Sequence, residues 1–152
     1  MKPSCLLLAA MSVIAAGCSS LMLTQADFSW PIEDVAKVDA NGMVREDRYS
    51  LSFNVKPLLY AETRDSVNVA GQTIRIIRNE QGYYFITAKD FKNVYVFRQD
   101  DGRFKIEKTI PVSKEGLSSP AFNQREPYIE LVNGDNQPIM LTKDGILKEG
   151  KK

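Results

Sequence analysis

The chain has 152 residues, 43% of them hydrophobic, and its 20 basic and 19 acidic side chains give a formal net charge of +1. It has no histidine and two cysteines, Cys5 and Cys18, both close to the N-terminus. This composition excludes Ser-His-Asp and Cys-His catalysis, metal sites built on histidine or cysteine, and a disulfide within the remaining chain. The near-neutral charge argues against a nucleic-acid partner, because phosphate binding requires clustered basic side chains.

The first 17 residues have the organisation of a removable export signal. Lys2 supplies a positive N-terminal region, residues 6–16 form an apolar run, and three small residues at 15–17 precede Cys18. This pattern resembles the signal of bacterial lipoproteins, in which the cysteine receives a diacylglyceryl group and becomes the new N-terminus. The resemblance covers residues 1–20 and implies lipidation of Cys18, although Ala15 stands where the family usually has Leu.

The residue after the cysteine indicates which membrane the protein reaches. In the lipoprotein family, Asp at this position tends to retain the protein at the inner membrane, whereas this chain has Ser19. The resemblance therefore implies a cell-envelope location at the outer membrane, with the protein facing the periplasm. A plain secretory signal is one alternative. An uncleaved anchor over residues 5–23 is another, because a helix of that length would span about 28 Å, close to the thickness of the bilayer core.

Beyond a short tether at residues 18–23, residues 24–152 are expected to form a single β-rich domain. Alternating apolar and polar residues over 49–55 predict a strand with one buried face. Runs rich in β-branched and aromatic residues, separated by turn-forming clusters, predict the remaining strands. These runs occupy residues 67–69, 73–78, 83–88, 93–98, 103–110, 128–132 and 138–142.

The predicted fold class is all-β, an antiparallel meander forming a β-sandwich or a partly closed barrel, with at most one short helix. The best helix candidate is residues 31–37, where Pro31 and early acidic residues fit a helix start. A strand leading into a turn at Asn41 and Gly42 fits this segment about as well. Residues 113–126 are predicted to be irregular.

The motif search indicates a protein without a catalytic site or a cofactor. Glycine-rich phosphate loops and serine-nucleophile motifs do not occur after the signal. Adjacent acidic residues at 33–34, 46–47 and 100–101 are poorly placed to act on one substrate, because neighbouring strand residues point to opposite faces. The expectation is that the protein is not an enzyme and holds no metal.

Half of the aromatic residues, seven of 14, fall within residues 83–104. On the predicted strand at 93–98, Val94 and Val96 share one face, and Tyr95 and Phe97 share the other. Such a strand is covered on both sides in the core, which is the preferred interpretation, or presents an aromatic binding platform. The candidate binding residues of such a platform are Tyr95, Phe97, Arg75 and Arg98, with Arg78 and Arg103 nearby.

The sequence as a whole favours an envelope lipoprotein that acts as a binding or assembly module. Its expected partners are the membrane, through the lipid at Cys18, and an envelope protein. The alternative is a carbohydrate- or peptidoglycan-active enzyme, or a sugar-binding protein, that uses Asp or Glu with the aromatic cluster of residues 83–104. A purely structural lipoprotein is a third possibility.

Overall fold

A computed structural model of the chain describes residues 33–48 and 50–147. Every strand pairing within these ranges is antiparallel, which confirms the predicted all-β class. No helix in the described ranges is long and apolar enough to cross a membrane. The elements in chain order are β1 (Asp34–Lys37), β2 (Met43–Glu46), β3 (Leu51–Asn54), α1 (Lys56–Thr63), β4 (Thr73–Arg78), β5 (Tyr83–Ala88), β6 (Asn93–Asp100), β7 (Arg103–Pro111), β8 (Pro120–Arg125), β9 (Tyr128–Asn133), β10 (Ile139–Thr142) and β11 (Gly145–Ile146).

The strands form two main sheets and a separate hairpin. The five-stranded sheet has the order β1-β4-β5-β6-β7, the four-stranded sheet has the order β11-β10-β9-β8, and β2 pairs with β3. The sheets do not close into a barrel, so the observed arrangement is the sandwich-like one of the two that the sequence predicted.

The five-stranded sheet is the middle layer, because its two faces contribute to two different hydrophobic clusters. Ile76 packs with the β2–β3 hairpin and α1, whereas its neighbour Ile77 packs with the four-stranded sheet. The same alternation holds on β5, where Tyr84 and Phe85 belong to opposite clusters. Burial on both faces explains why β5 and β6 are almost continuously apolar.

The helix α1 was not predicted, and its ends explain how it forms. Pro57 lies in the first turn, where its missing N–H is not needed by the helix. Leu58 and Leu59 are buried against the middle sheet. Arg64 takes a left-handed conformation with φ 62° and donates its N–H to the Tyr60 carbonyl, which ends the helix.

Two other sequence predictions differ from the structure. The predicted strand at residues 67–69 is wrong, because the Asp65 carboxylate accepts the N–H groups of Val67 at 2.7 Å and Asn68 at 3.4 Å and folds this segment into a loop. The segment predicted to be irregular contains β8. Of the helix candidate at 31–37, residues 31 and 32 lie outside the described ranges, and β1 occupies residues 34–37.

The segment that crosses from β7 to β8 is held against the turn between β5 and β6. The Asp90 N–H donates to the Leu117 carbonyl at 2.7 Å, and the Leu117 N–H donates to the Phe91 carbonyl at 2.9 Å. Gly116, with φ +106°, is required here, since a Cβ atom would lie 2.9 Å from the Asp90 carbonyl oxygen. This connection carries the chain from one edge of the sandwich to the other.

Candidate functional site

The structure places the aromatic members of the predicted platform in the core. Tyr95 is 6% exposed and Phe97 is 9% exposed, both in the cluster between the middle sheet and α1. Phe97 stacks on Phe104 with ring centroids 4.5 Å apart and planes 7° apart. Val94 and Val96 are fully buried on the opposite face. Tyr95 and Phe97 therefore form no platform, and the preferred core interpretation describes them.

The two candidate arginines lie apart and have different partners. Arg75 donates to Glu33 at 2.8 Å, and the other oxygen of this carboxylate accepts the N–H of Phe122 on β8 at 2.9 Å. Arg98 lies over the ring of Tyr83, 5.9 Å from its centroid. Arg75 is in register with Thr87 and Arg98 with Tyr83, near opposite ends of β5. Sequence reasoning did not anticipate the Glu33 bridge between the sheets.

A second interaction that the sequence analysis missed is the attachment of α1 to β6 through Glu62. Its carboxylate accepts hydrogen bonds of 2.7 Å from the Lys92 N–H, the Asn93 side-chain amide and the Tyr95 hydroxyl. The pKa of Tyr95 is raised, first by burial and then by the hydrogen bond to Glu62 and by its charge. This carboxylate is fully engaged by groups of the domain itself.

Two further carboxylates, which are buried, also have partners within the domain. Glu46, 1% exposed, accepts from Arg48 at 3.1 Å. Glu130, 8% exposed, accepts from Asn123 at 2.9 Å and from Arg125 at 3.2 Å. Among the described residues, no group of three or more acidic, histidine or cysteine side chains is placed to hold a metal ion. Cys18 lies outside the described ranges.

One candidate site is the side of the sandwich where β7 and β11 are both outermost strands. Within the described part of the chain, neither strand is paired along its outer side. Between them lies a cleft of about 420 Å³. Its lining residues are Lys108, Thr109, Ile110, Pro111, Asp144, Gly145 and Ile146. We call these two strands and this cleft the β7–β11 edge.

Apolar side chains are exposed along the β7–β11 edge. Ile106 on β7 is 45% exposed, Ile146 on β11 is 44% exposed, and the adjacent Leu147 is 37% exposed. Only Ile110 is fully buried on β7, whereas the paired strand β6 is buried over four consecutive residues. An edge with unpaired backbone groups and exposed isoleucines is chemically suited to accept another strand.

Two positive side chains lie next to each other where β7 pairs with β6. Lys105 lies directly opposite Arg98, so two positive side chains form a cross-strand pair. The pKa of Lys143, in the β10–β11 turn, is raised mainly by its hydrogen bond to Asp144 and further by the charges of Asp144, Tyr83 and Glu107. Glu107 follows Lys105 by two positions, so strand alternation places it on the face that Lys105 shares with Arg98.

A β-bulge interrupts the pairing of β7 with β6. Val96 is in register with Lys108 and Phe97 with Ile106, so Glu107 is an additional residue on β7. Bulges and edge lysines are features that protect exposed strands against unselective pairing. A strand added at this edge would have to match this particular pattern of charge and shape.

Comparison of the chain with models of known protein families, with curated proteins and with solved structures returns no match. The functional proposal for this domain therefore depends on its own residues and geometry.

Proposed function

We propose that the chain is an envelope lipoprotein whose β-rich domain binds another polypeptide at the β7–β11 edge. The observation that carries this proposal is the combination, at one edge, of unpaired strand backbone, a cleft and exposed isoleucines. An extended segment added to such an edge gains main-chain hydrogen bonds, and the exposed side chains provide selectivity. Binding would remove Ile106 and Ile146 from water.

The opposite side of the sandwich is less suited to adding a strand. There, β1 and β8 are the outermost strands, and the Glu33 carboxylate already accepts the outward N–H of Phe122. The ion pair between Glu33 and Arg75, at 2.8 Å, further ties β8 to the middle sheet. This contrast supports β7 and β11 as the binding edge.

The sequence of the N-terminal segment supports a domain that presents this edge from a membrane. The likeness of residues 1–20 to a lipoprotein signal supports a lipid on Cys18, and Ser19 supports the periplasmic face of the outer membrane. Glu33 follows Cys18 by 15 positions, so the intervening chain spans at most about 50 Å. The first described strand, β1, is the strand farthest from β7 in the middle sheet. The β7–β11 edge therefore lies on the opposite side of the middle sheet from β1.

A binding role agrees with the state of the carboxylates. Glu46, Glu62 and Glu130 all accept hydrogen bonds from the domain itself, which supports structural roles for them.

Photo-crosslinking in intact cells tests the binding role. A photoreactive phenylalanine analogue at position 146 of the full chain should form a discrete adduct with a protein, because this position lies in the proposed interface. The matched control is the same analogue at Val67, which is 83% exposed on the loop after α1. Equal adduct patterns from both positions would contradict the proposed function, and so would a chain that is monomeric and gives no adduct from position 146.

A further inference from the structure

We infer that a second copy of this chain binds at the β7–β11 edge, with the two β7 strands antiparallel and centred on Ile106. This inference rests on the proposed function and specifies the partner at the same edge. In this register, a two-fold axis passes between the two copies of Ile106. Lys105 of each copy then lies opposite Glu107 of the other, so the pairing contains two opposite-charge contacts related by symmetry.

The turn between β6 and β7 shows which backbone groups of β7 point outward. Asp101 and Gly102 both have positive φ, 44° and 74°, as a two-residue turn of type I′ requires. In such a hairpin the closing pair, Asp100 with Arg103, is hydrogen-bonded, and hydrogen-bonded pairs alternate along the strands. By this alternation Lys105 faces β6, and the backbone groups of Ile106 point away from β6. Ile106 can therefore exchange both of its backbone hydrogen bonds with the second copy.

The charges of β7 select this partner. Lys105 is opposite Arg98 within the chain, and directly opposed like charges destabilise a sheet. A carboxylate on the outer side of Lys105 relieves this repulsion, and Glu107 of the second copy stands there in the proposed register. Lys105 shares the face of its register partner Arg98, which lies over Tyr83, and Glu107 lies on the same face because it follows Lys105 by two positions. The two side chains can therefore meet across the interface.

Neighbouring registers are less favourable. A pairing centred on Lys105 would oppose that lysine to its own copy, and a pairing centred on Glu107 would oppose two carboxylates. A pairing centred midway between Ile106 and Glu107 would oppose Lys105 to Lys108. The register centred on Ile106 avoids these contacts and buries an isoleucine that is 45% exposed in the single chain.

Sedimentation of the full chain in detergent micelles tests this inference. Wild-type protein should be a dimer. Lys105→Glu and Glu107→Lys should each raise the dissociation constant at least about tenfold, because each variant places two like-charge pairs across the axis. An equimolar mixture of the two variants should form a heterodimer, because both pairs then carry opposite charges again. Lys89→Glu, an exposed lysine in the β5–β6 turn, is the control and should leave the dimer unchanged.

The heterodimer also shows that the single variants remain folded. A monomeric wild-type protein, a dimer insensitive to both charge changes, or a mixture that stays monomeric would overturn the inference. A monomeric wild type that still forms an adduct with a different protein from position 146 refutes only the second copy as partner. Absence of both the dimer and the adduct refutes the proposed function as well.

Discussion

Replacing Phe97 with Ala should lower the free energy of unfolding by about 3–5 kcal/mol, a large part of the total stability of a domain of this size. The ring is 9% exposed and stacks on Phe104 at a centroid distance of 4.5 Å. Its removal leaves a cavity between the middle sheet and the layer of α1 and the β2–β3 hairpin. Urea-induced unfolding followed by circular dichroism measures this loss.

The matched control for this substitution is Val67→Ala, because Val67 is 83% exposed on a loop. Its free energy of unfolding should change by less than about 0.5 kcal/mol. A Phe97→Ala protein with an unchanged urea midpoint would show that this side chain is outside the core, and would return the aromatic strand to consideration as a binding platform.

Replacing Glu62 with Ala should lower the free energy of unfolding by about 2–4 kcal/mol. The substitution leaves the Lys92 N–H, the Asn93 amide and the Tyr95 hydroxyl without the acceptor that holds all three at 2.7 Å. It also detaches α1 from the start of β6. Chemical denaturation, with helix content followed in the far ultraviolet, reports the effect.

Two further variants distinguish the stability lost with the Glu62 hydrogen bonds from the general effect of removing a charge. Tyr95→Phe keeps the ring and removes one of the three hydrogen bonds, so its loss should be smaller, about 1 kcal/mol. Glu115→Ala removes an exposed carboxylate from the segment between β7 and β8 and should be nearly neutral. Equal stability of Glu62→Ala and Glu115→Ala would show that the network does not hold α1 in place.

The middle strands could be predicted from the sequence because local composition determines them. Residues 83–88 and 93–98 are apolar at successive positions, as expected for strands covered on both faces, and β5 and β6 begin at those residues. The helix α1 was missed for an equally local reason. It has eight residues, its N-cap makes no side-chain hydrogen bond, and only Leu58 and Leu59 are buried, so its apolar periodicity is weak.

The β8 strand and the proposed binding edge could not be predicted because they depend on contacts distant in sequence. The sequence of β8 has Pro120 at its start and mostly polar residues after Phe122, and one of its outward N–H groups is satisfied by Glu33, 89 positions away. The strand at 103–110 was predicted, but its place at the edge follows from the sheet order alone. The available signal was the charged sequence of Lys105, Glu107 and Lys108 within one strand.

The central claim is that a lipid at Cys18 tethers this domain to a membrane, from which it presents the β7–β11 edge. Mass spectrometry of the N-terminal peptide of the chain, purified from membranes, tests this claim most directly. The account predicts a mature chain that begins at Cys18 and carries a diacylglyceryl group, with Cys18→Ala left unprocessed or released from the membrane. Wild-type protein recovered from the soluble periplasm with an unmodified N-terminus would contradict it.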